Sequence, residues 1–194
     1  MTSATLLPLV IGYLLGSIPF GLLLARLAGK GDIRAIGSGN IGATNVLRTG
    51  SKWLAAATLL LDAAKGATAV LLAQAYWPDG VQFAAAGAMI GHLYPLWLKF
   101  SGGKGSATLL GVLAPLIWQA AIVYALAWLG LLLIVRIASV ASLVAAASAP
   151  LSAAVLDEDA LFPLLLGFSL LVIWKHRANL QRLLAGTEPR VGKA

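Results

Sequence analysis

From residue 105 to residue 135 the chain carries no charged side chain. A helix of that length on the surface of a soluble domain turns a polar face to water, and this run has none to turn. A second charge-free run occupies residues 1–25. Composition agrees: 60% of the 194 residues are hydrophobic and 11% are charged, whereas an ordinary soluble domain is about 25% charged. The expectation is an all-α integral membrane protein built as a single domain, and a soluble globular enzyme is excluded. There is no cysteine. That removes disulfides, iron–sulfur clusters, thiolate–zinc sites and a cysteine nucleophile. The net charge of +7, in so apolar a chain, points to basic loops facing anionic headgroups or anionic substrates rather than to nucleic acid.

Charge placement divides the chain. No basic residue precedes the first apolar run, whereas a cleaved leader carries its positive charge in front. Residues 6–24 are therefore expected as a retained span with the N-terminus outside. Further spans are expected at 53–76, 81–98, 105–117, 119–135, 137–156 and 160–174. As one helix, 105–135 would be about 46 Å long, too much for one upright crossing. With Lys99 and Lys104 before it and Arg136 after it, an even number of crossings keeps basic residues on one side, so two short spans are placed there, turning near 115–119. The result is seven spans, N-terminus periplasmic and C-terminus cytoplasmic. All of the 14 Lys and Arg except Lys65 then fall in cytoplasmic segments. No soluble second domain and no regular repeat interrupts this pattern.

The polar residues concentrate in two loops. The first reads GSGNIGATNVLRTGSK, residues 37–52. Gly37, Gly39 and Gly42 form a literal G-x-G-x-x-G, but a membrane span precedes it instead of a strand, so a dinucleotide fold is rejected. The physics beneath the motif survives: glycines let backbone N–H groups approach an anion. Ser38, Asn40, Thr44 and Asn45 add neutral donors, and Arg48 adds a guanidinium fork suited to phosphate. Anion binding is preferred here over a plain glycine-rich turn. The second loop reads FSGGKGSAT, residues 100–108. Gly105 follows Lys104 where a P-loop needs Ser or Thr. Gly102, Gly103 and Gly105 around Lys104, just before a span, nevertheless suit a helix N-terminus that holds phosphate. A plain interfacial turn with a snorkelling lysine is the competing reading.

Other polar residues keep two readings each. His92 lies inside an apolar run, as a buried bundle histidine or as a functional one. His176 and Asn179 stand one turn apart in KHRANLQRLLAGTE, residues 175–188, with Arg182 a turn further on. His176 suits a general base or hydroxyl ligand, and equally a headgroup-facing basic helix. Asp62 and Lys65 can pair at i, i+3 within a span, for structure or for function. Ser139 and Ser142, after Arg136, either meet phosphate or cap a helix. Two histidines without cysteine or nearby paired carboxylates do not suggest a metal site. Donor-rich loops on one face favour a membrane transferase acting on phosphorylated substrates over a transporter, whose polar groups would sit at mid-membrane in repeated halves. A structural subunit would leave both loops unexplained.

GSGNIGATNVLRTGSK, GHLYPLWLKFSGGKGSAT and HRANLQRLLAGTE resemble, in order, the three hallmark segments of the bacterial acyl-phosphate:glycerol-3-phosphate acyltransferase family. GSIPFG at 16–21, LDAAKG at 61–66 and RIASVAS at 136–142 resemble its secondary signatures. The resemblance implies a multi-pass enzyme of the bacterial inner membrane with its active site at the cytoplasmic face. It would move a fatty acyl group from acyl phosphate to the 1-hydroxyl of sn-glycerol 3-phosphate, giving lysophosphatidic acid and phosphate. It implies no metal or organic cofactor, no obligate protein partner and no partner beyond substrates and membrane lipids. It carries Arg48, Lys104, His176 and Asn179 into catalytic roles, and Ser38, Asn40, Thr44, Asn45, Gly102, Gly103, Gly105 and Ser142 into substrate binding, with Glu188 structural. The chain departs from the family pattern at Trp53, Ser101 and Ser106, and the missing positive charge at Ser101 points to a weaker hold on acyl phosphate.

One independent observation fits. Five residues after His92 stands Trp97, and five after His176 stands Gln181, so the H-x-x-x-x-D pattern of coenzyme A- or carrier-protein-dependent acyltransferases is absent. An acyl phosphate is already activated, and what it needs from a protein is chiefly positioning and charge stabilisation.

Overall fold

Long apolar runs with few backbone breakers leave the helix as the way to satisfy backbone polar groups in hydrocarbon. The computed structural model describes residues 3–192. Among them the regular structure is all helical: α1 (Ser3–Gly16), α2 (Phe20–Leu27), α3 (Ala43–Val46), α4 (Lys52–Tyr76), α5 (Val81–Leu93), α6 (Ser106–Leu116), α7 (Trp118–Val135), α8 (Ala138–Val155), α9 (Phe162–Lys175) and α10 (Arg177–Leu184), with short 3-10 turns between some of them. Among the described residues four segments are long and apolar enough to cross a membrane: Ala4–Leu27, counted across the α1–α2 break, Lys52–Tyr76, Trp118–Val135 and Ala138–Val155. Two shorter apolar helices are Ser106–Leu116 and Phe162–Lys175. Large apolar side chains face outward, among them Leu60, Leu133, Ile134, Leu151 and Val155, as lipid contact requires.

The chain forms two compact units, Met1–Pro115 and Leu116–Ala194. In the first, glycines set the packing. A Cβ on Gly12 or Gly16 would strike the α5 backbone at Ala84 or Ala88, and one on Gly87 or Gly91 would strike the α1 backbone at Leu9 or Tyr13. Each pair lies one turn apart on its helix. Hydrocarbon offers helices no hydrophobic drive to associate, so close backbone approach through small residues supplies the van der Waals attraction. The same device joins α4 to α6, where Gly66 meets Thr108 and Gly111 meets Ala63.

The stretch expected as one span at 6–24 is two helices. Pro19 has no N–H to donate and cannot continue α1, and the chain bends at 17–19. The carbonyls freed there find partners inside the protein: Trp97 Nε1 donates to Ser17 O at 2.8 Å, and Lys65 Nζ donates to Ile18 O at 2.8 Å. Tyr13 braces the next turn along, donating its hydroxyl to Tyr94 O at 3.0 Å and accepting from Leu96 N at 2.9 Å. The helix expected to reach residue 98 stops at Leu93, because Pro95 disfavours helical geometry in its predecessor. The chain then reverses through positive φ at Lys99 and Phe100. α6 and α7 are separated at Ile117 (φ −144°, ψ 87°).

In the second unit, α8 buries an alanine face, Ala141, Ala145, Ala146, Ala149 and Ala153. Leu165, Phe168 and Val172 of α9 are buried in the same unit, and Ser169 Oγ donates to Ala146 O at 2.5 Å.

Candidate active site

The 37–52 loop is built around one buried amide. Asn45 Nδ2 donates to Ile33 O at 2.7 Å and to Asn40 O at 2.8 Å, while its Oδ1 accepts from Ser38 N at 3.1 Å and Ser38 Oγ at 3.4 Å. Both donors and the carbonyl oxygen are spent on the loop. Expected as a substrate ligand, Asn45 is instead the residue that holds the loop's shape. Upstream, Asp32 caps the 3-10 turn Ile33–Ala35 by accepting from Arg34 N. Its carboxylate also meets Arg34 Nη2 at 2.6 Å and Arg26 Nη2 at 2.8 Å. Hydrogen bonds from Arg34 push the Asp32 pKa far below the usual carboxylate range, and Asp32 pushes that of Arg34 up.

Gly37 (φ +55°) leaves the space that Arg48 occupies: a Cβ there would overlap Arg48 Cδ and Nη1 and Asn45 Oδ1. Arg48 is exposed, and among the described residues its guanidinium makes no hydrogen bond or ion pair. A fork of donors lying over a glycine, with no carboxylate to neutralise it, is suited to a phosphate or acyl-phosphate oxygen. Ser38 and Thr44 are exposed on the same loop.

Asn40 ties this loop to the second. Its Oδ1 accepts from Gly42 N at 2.9 Å, and its Nδ2 reaches Gly102 O at 3.5 Å. In the second loop the structure corrects an expectation. The N–H groups of Gly102 and Gly103, taken as phosphate donors, donate to Leu93 O (3.2 Å) and His92 O (3.0 Å). They close the end of α5, whose last carbonyls need partners. Gly102 and Gly103 are required for fit: a Cβ on the first would strike the carbonyl of His92 and the Pro95 ring, and one on the second would overlap the His92 imidazole. Gly105 (φ +92°) turns the chain into α6 and accepts from Leu109 N at 2.8 Å. Lys104, half-buried, stands immediately before this turn and the start of α6.

His92 lies beneath this loop, buried, with Nδ1 3.8 Å from Asp62 Oδ1. Asp62 Oδ1 is 2.7 Å from Lys65 Nζ, both side chains at most 4% exposed. Lys65 thus serves Asp62 and the Ile18 carbonyl together, which explains its place inside a span.

In the second unit, His176 ends α9 and precedes α10. Its Nδ1 is 2.8 Å from Val172 O. A carbonyl only accepts, so Nδ1 carries the proton and the neutral ring has its lone pair on Nε2. That is the tautomer a general base needs. Asn179 Nδ2 donates to Glu188 Oε1 at 2.5 Å. Glu188 also accepts from Ser139 Oγ and from Arg182 Nε, each at 2.7 Å. The tail is further pinned by Val191 N donating to Arg136 O at 2.7 Å. Ser142 is buried, and its Oγ accepts from Trp128 Nε1 at 3.1 Å. Among the described residues no three or more His, Asp or Glu side chains gather as a metal site.

The family model described as glycerol-3-phosphate acyltransferase matches residues 6–186. The chain belongs to the glycerol-3-phosphate acyltransferase family. It is 56% identical over 192 residues to the glycerol-3-phosphate acyltransferase of Mesorhizobium japonicum, spanning 99% of this chain and 98% of that one. It is 55% identical to the Brucella suis protein of the same name, spanning 95% and 92%. Two solved structures share the fold. PlsY (YgiH), an integral membrane glycerol 3-phosphate acyltransferase, superposes in its glycerol 3-phosphate form with a TM-score of 0.92 at 39% identity, over 98% of this chain and 96% of that one. Its lysophosphatidic acid form gives 0.89 at 38% identity over the same shares. This acyltransferase family chain is an integral membrane protein. Sequence reading had not found what Asn45, Trp97, Tyr13 and the Asp32–Arg34 pair do for the site. Each acts through a contact between positions distant in sequence or through a loop conformation that no local pattern announces.

Proposed function

We propose that the protein transfers a fatty acyl group from acyl phosphate to the 1-hydroxyl of sn-glycerol 3-phosphate, releasing phosphate and lysophosphatidic acid. The family membership and the likeness to PlsY in its glycerol 3-phosphate and lysophosphatidic acid forms support the acceptor and the product. The acyl-phosphate donor rests on the resemblance of the three hallmark segments. The observation that carries the reading to this chain's own chemistry is Arg48: an exposed guanidinium, without protein partner among the described residues, laid over Gly37 in a loop braced by Asn45.

In this reading Arg48 and Lys104 hold anionic oxygens of the substrates, helped by Ser38, Asn40, Thr44, Gly105 and the first turn of α6. Gly102 and Gly103 contribute shape rather than N–H donors. The acceptor hydroxyl attacks the acyl carbon, the C–O bond to phosphate breaks, and phosphate leaves. The hydroxyl proton passes to His176 Nε2 or to the departing phosphate. Asn179 and Ser142 are assigned to substrate on the resemblance alone. The donor supplies the activation, so the protein's share is positioning and charge stabilisation. We place the protein in the bacterial inner membrane with seven crossings, N-terminus periplasmic, C-terminus and active site cytoplasmic. The one-sided distribution of Lys and Arg supports this orientation.

The test is phosphate release by purified protein given palmitoyl phosphate with and without glycerol 3-phosphate, without divalent metal. Release that depends on glycerol 3-phosphate, matched by lysophosphatidic acid, is expected. Folded protein that releases none, but moves an anionic solute into sealed liposomes unchanged, would overturn the reading.

A further inference from the structure

A buried polar line runs under the second glycine loop and returns to the first. Lys65 Nζ joins the Ile18 carbonyl at the α1–α2 bend to Asp62 Oδ1 (2.8 and 2.7 Å). Asp62 Oδ1 lies 3.8 Å from His92 Nδ1, close but beyond hydrogen-bond distance. The His92 carbonyl accepts from Gly103 N, and its ring lies so close under Gly103 that a Cβ there would overlap Nε2, Cε1 and Cδ2. Gly102 O receives Asn40 of the first loop. The first loop rests in turn on α2, where a Cβ on Gly21 would strike the carbonyl oxygen of Ile41. The circuit closes on the bend that Lys65 holds.

We propose that His92, seated by Asp62 and Lys65, is a positioning residue that sets the height and rigidity of the 101–105 loop, and so the place of Lys104 and the α6 N-terminus against a phosphate group of the substrate. The inference rests on the proposed reading of that loop as a phosphate site. Three features argue for it. The ring is buried, so it does not meet bulk solvent. It contacts the loop through both its backbone carbonyl and the Nε2 end of its ring. The glycine above it tolerates no side chain while the ring is present. A planar imidazole packed against Gly103 gives the loop a shaped support, which an aliphatic side chain of the same volume would not reproduce.

The test uses the full-length protein in detergent or lipid. His92→Ala is expected to raise the KM for glycerol 3-phosphate or palmitoyl phosphate about ten-fold while kcat changes by less than about three-fold. Gly103→Ala alone is expected to lose more, because its methyl meets the ring. Gly103→Ala combined with His92→Ala is expected to recover part of that loss, a coupling expected of residues in contact. Hydrogen–deuterium exchange read without substrate at Gly102 and Gly103 is expected to quicken in His92→Ala. If that variant fails to fold, His92→Asn serves in its place. A fall in kcat with both KM values unchanged would overturn the proposal, as would a double variant no better than Gly103→Ala, or exchange at the loop equal to wild type. Wild-type protein without turnover, but with loop exchange altered by the variant, would instead count against the acyltransferase reading and leave the positioning of the loop standing.

Discussion

Asn179 Nδ2 donates to Glu188 Oε1 at 2.5 Å, so a side chain assigned to substrate is held by the carboxylate of the tail. Burial raises the Glu188 pKa, but hydrogen bonds from Asn179, Ser139 and Arg182 outweigh it and hold the carboxyl below its usual range. A folded pKa below the unfolded one contributes stability that is complete above the unfolded value, about 4.3. That stability is lost as pH falls through the lowered folded value. Glu188→Ala is expected to cost about 2–4 kcal/mol and to remove this part of the acid limb. Melting curves between neutral pH and the acid limb check it, and identical acid limbs in the two proteins would remove Glu188 from this role.

Arg48→Lys is expected to lower kcat/KM about 10²-fold. Lysine keeps the charge but replaces a planar fork with a point donor, and bidentate contact with an anion is lost. Steady-state kinetics with both substrates decide it. Turnover near wild type would take Arg48 out of the site.

His176→Ala is expected to lower kcat by about 10²-fold if Nε2 takes the hydroxyl proton. The Val172 carbonyl already selects the tautomer with its lone pair there. An effect confined to KM would assign His176 to binding alone.

Lys65→Met is expected to destabilise the protein by about 3–5 kcal/mol, because it leaves the Asp62 carboxylate buried without its cation. Asp62→Asn combined with Lys65→Met should recover part of the loss but not all, since the Ile18 carbonyl stays without its lysine donor. Thermal unfolding in detergent measures both. A double variant as unstable as the single would mean that Lys65 acts elsewhere.

Helical membrane character was legible in the sequence because hydrocarbon imposes it: charge-free runs have no other stable form. The chemistry of the 37–52 loop was legible for a similar reason, since glycine, small polar residues and arginine concentrate nowhere else so densely. Helix ends were less legible. Pro19 and Pro95 are visible in the chain, but whether a membrane helix bends or stops at proline depends on which side chain meets the freed carbonyl. At Pro19 those partners are Lys65 and Trp97, each more than forty residues away, and before Pro95 the Tyr94 carbonyl is met by the distant Tyr13 hydroxyl. The close helix contact through the glycines at 12, 16, 87 and 91 was not brought out by the pattern of hydrophobic runs and is visible only in the packing.

The sequence by itself determined the solvent of the protein, the family and the residue types available for phosphate. These follow from composition and from order along the chain. Only the tertiary structure decided how each polar group is used. It spent Asn45 on its own loop, gave the Gly102 and Gly103 N–H groups to α5, and left the Arg48 guanidinium without a protein partner among the described residues. The physical reason is that a hydrogen-bonding group has few valences, and a buried one must satisfy them. Whether a donor serves the fold or the substrate is decided by the acceptor that folding brings within 3 Å or so.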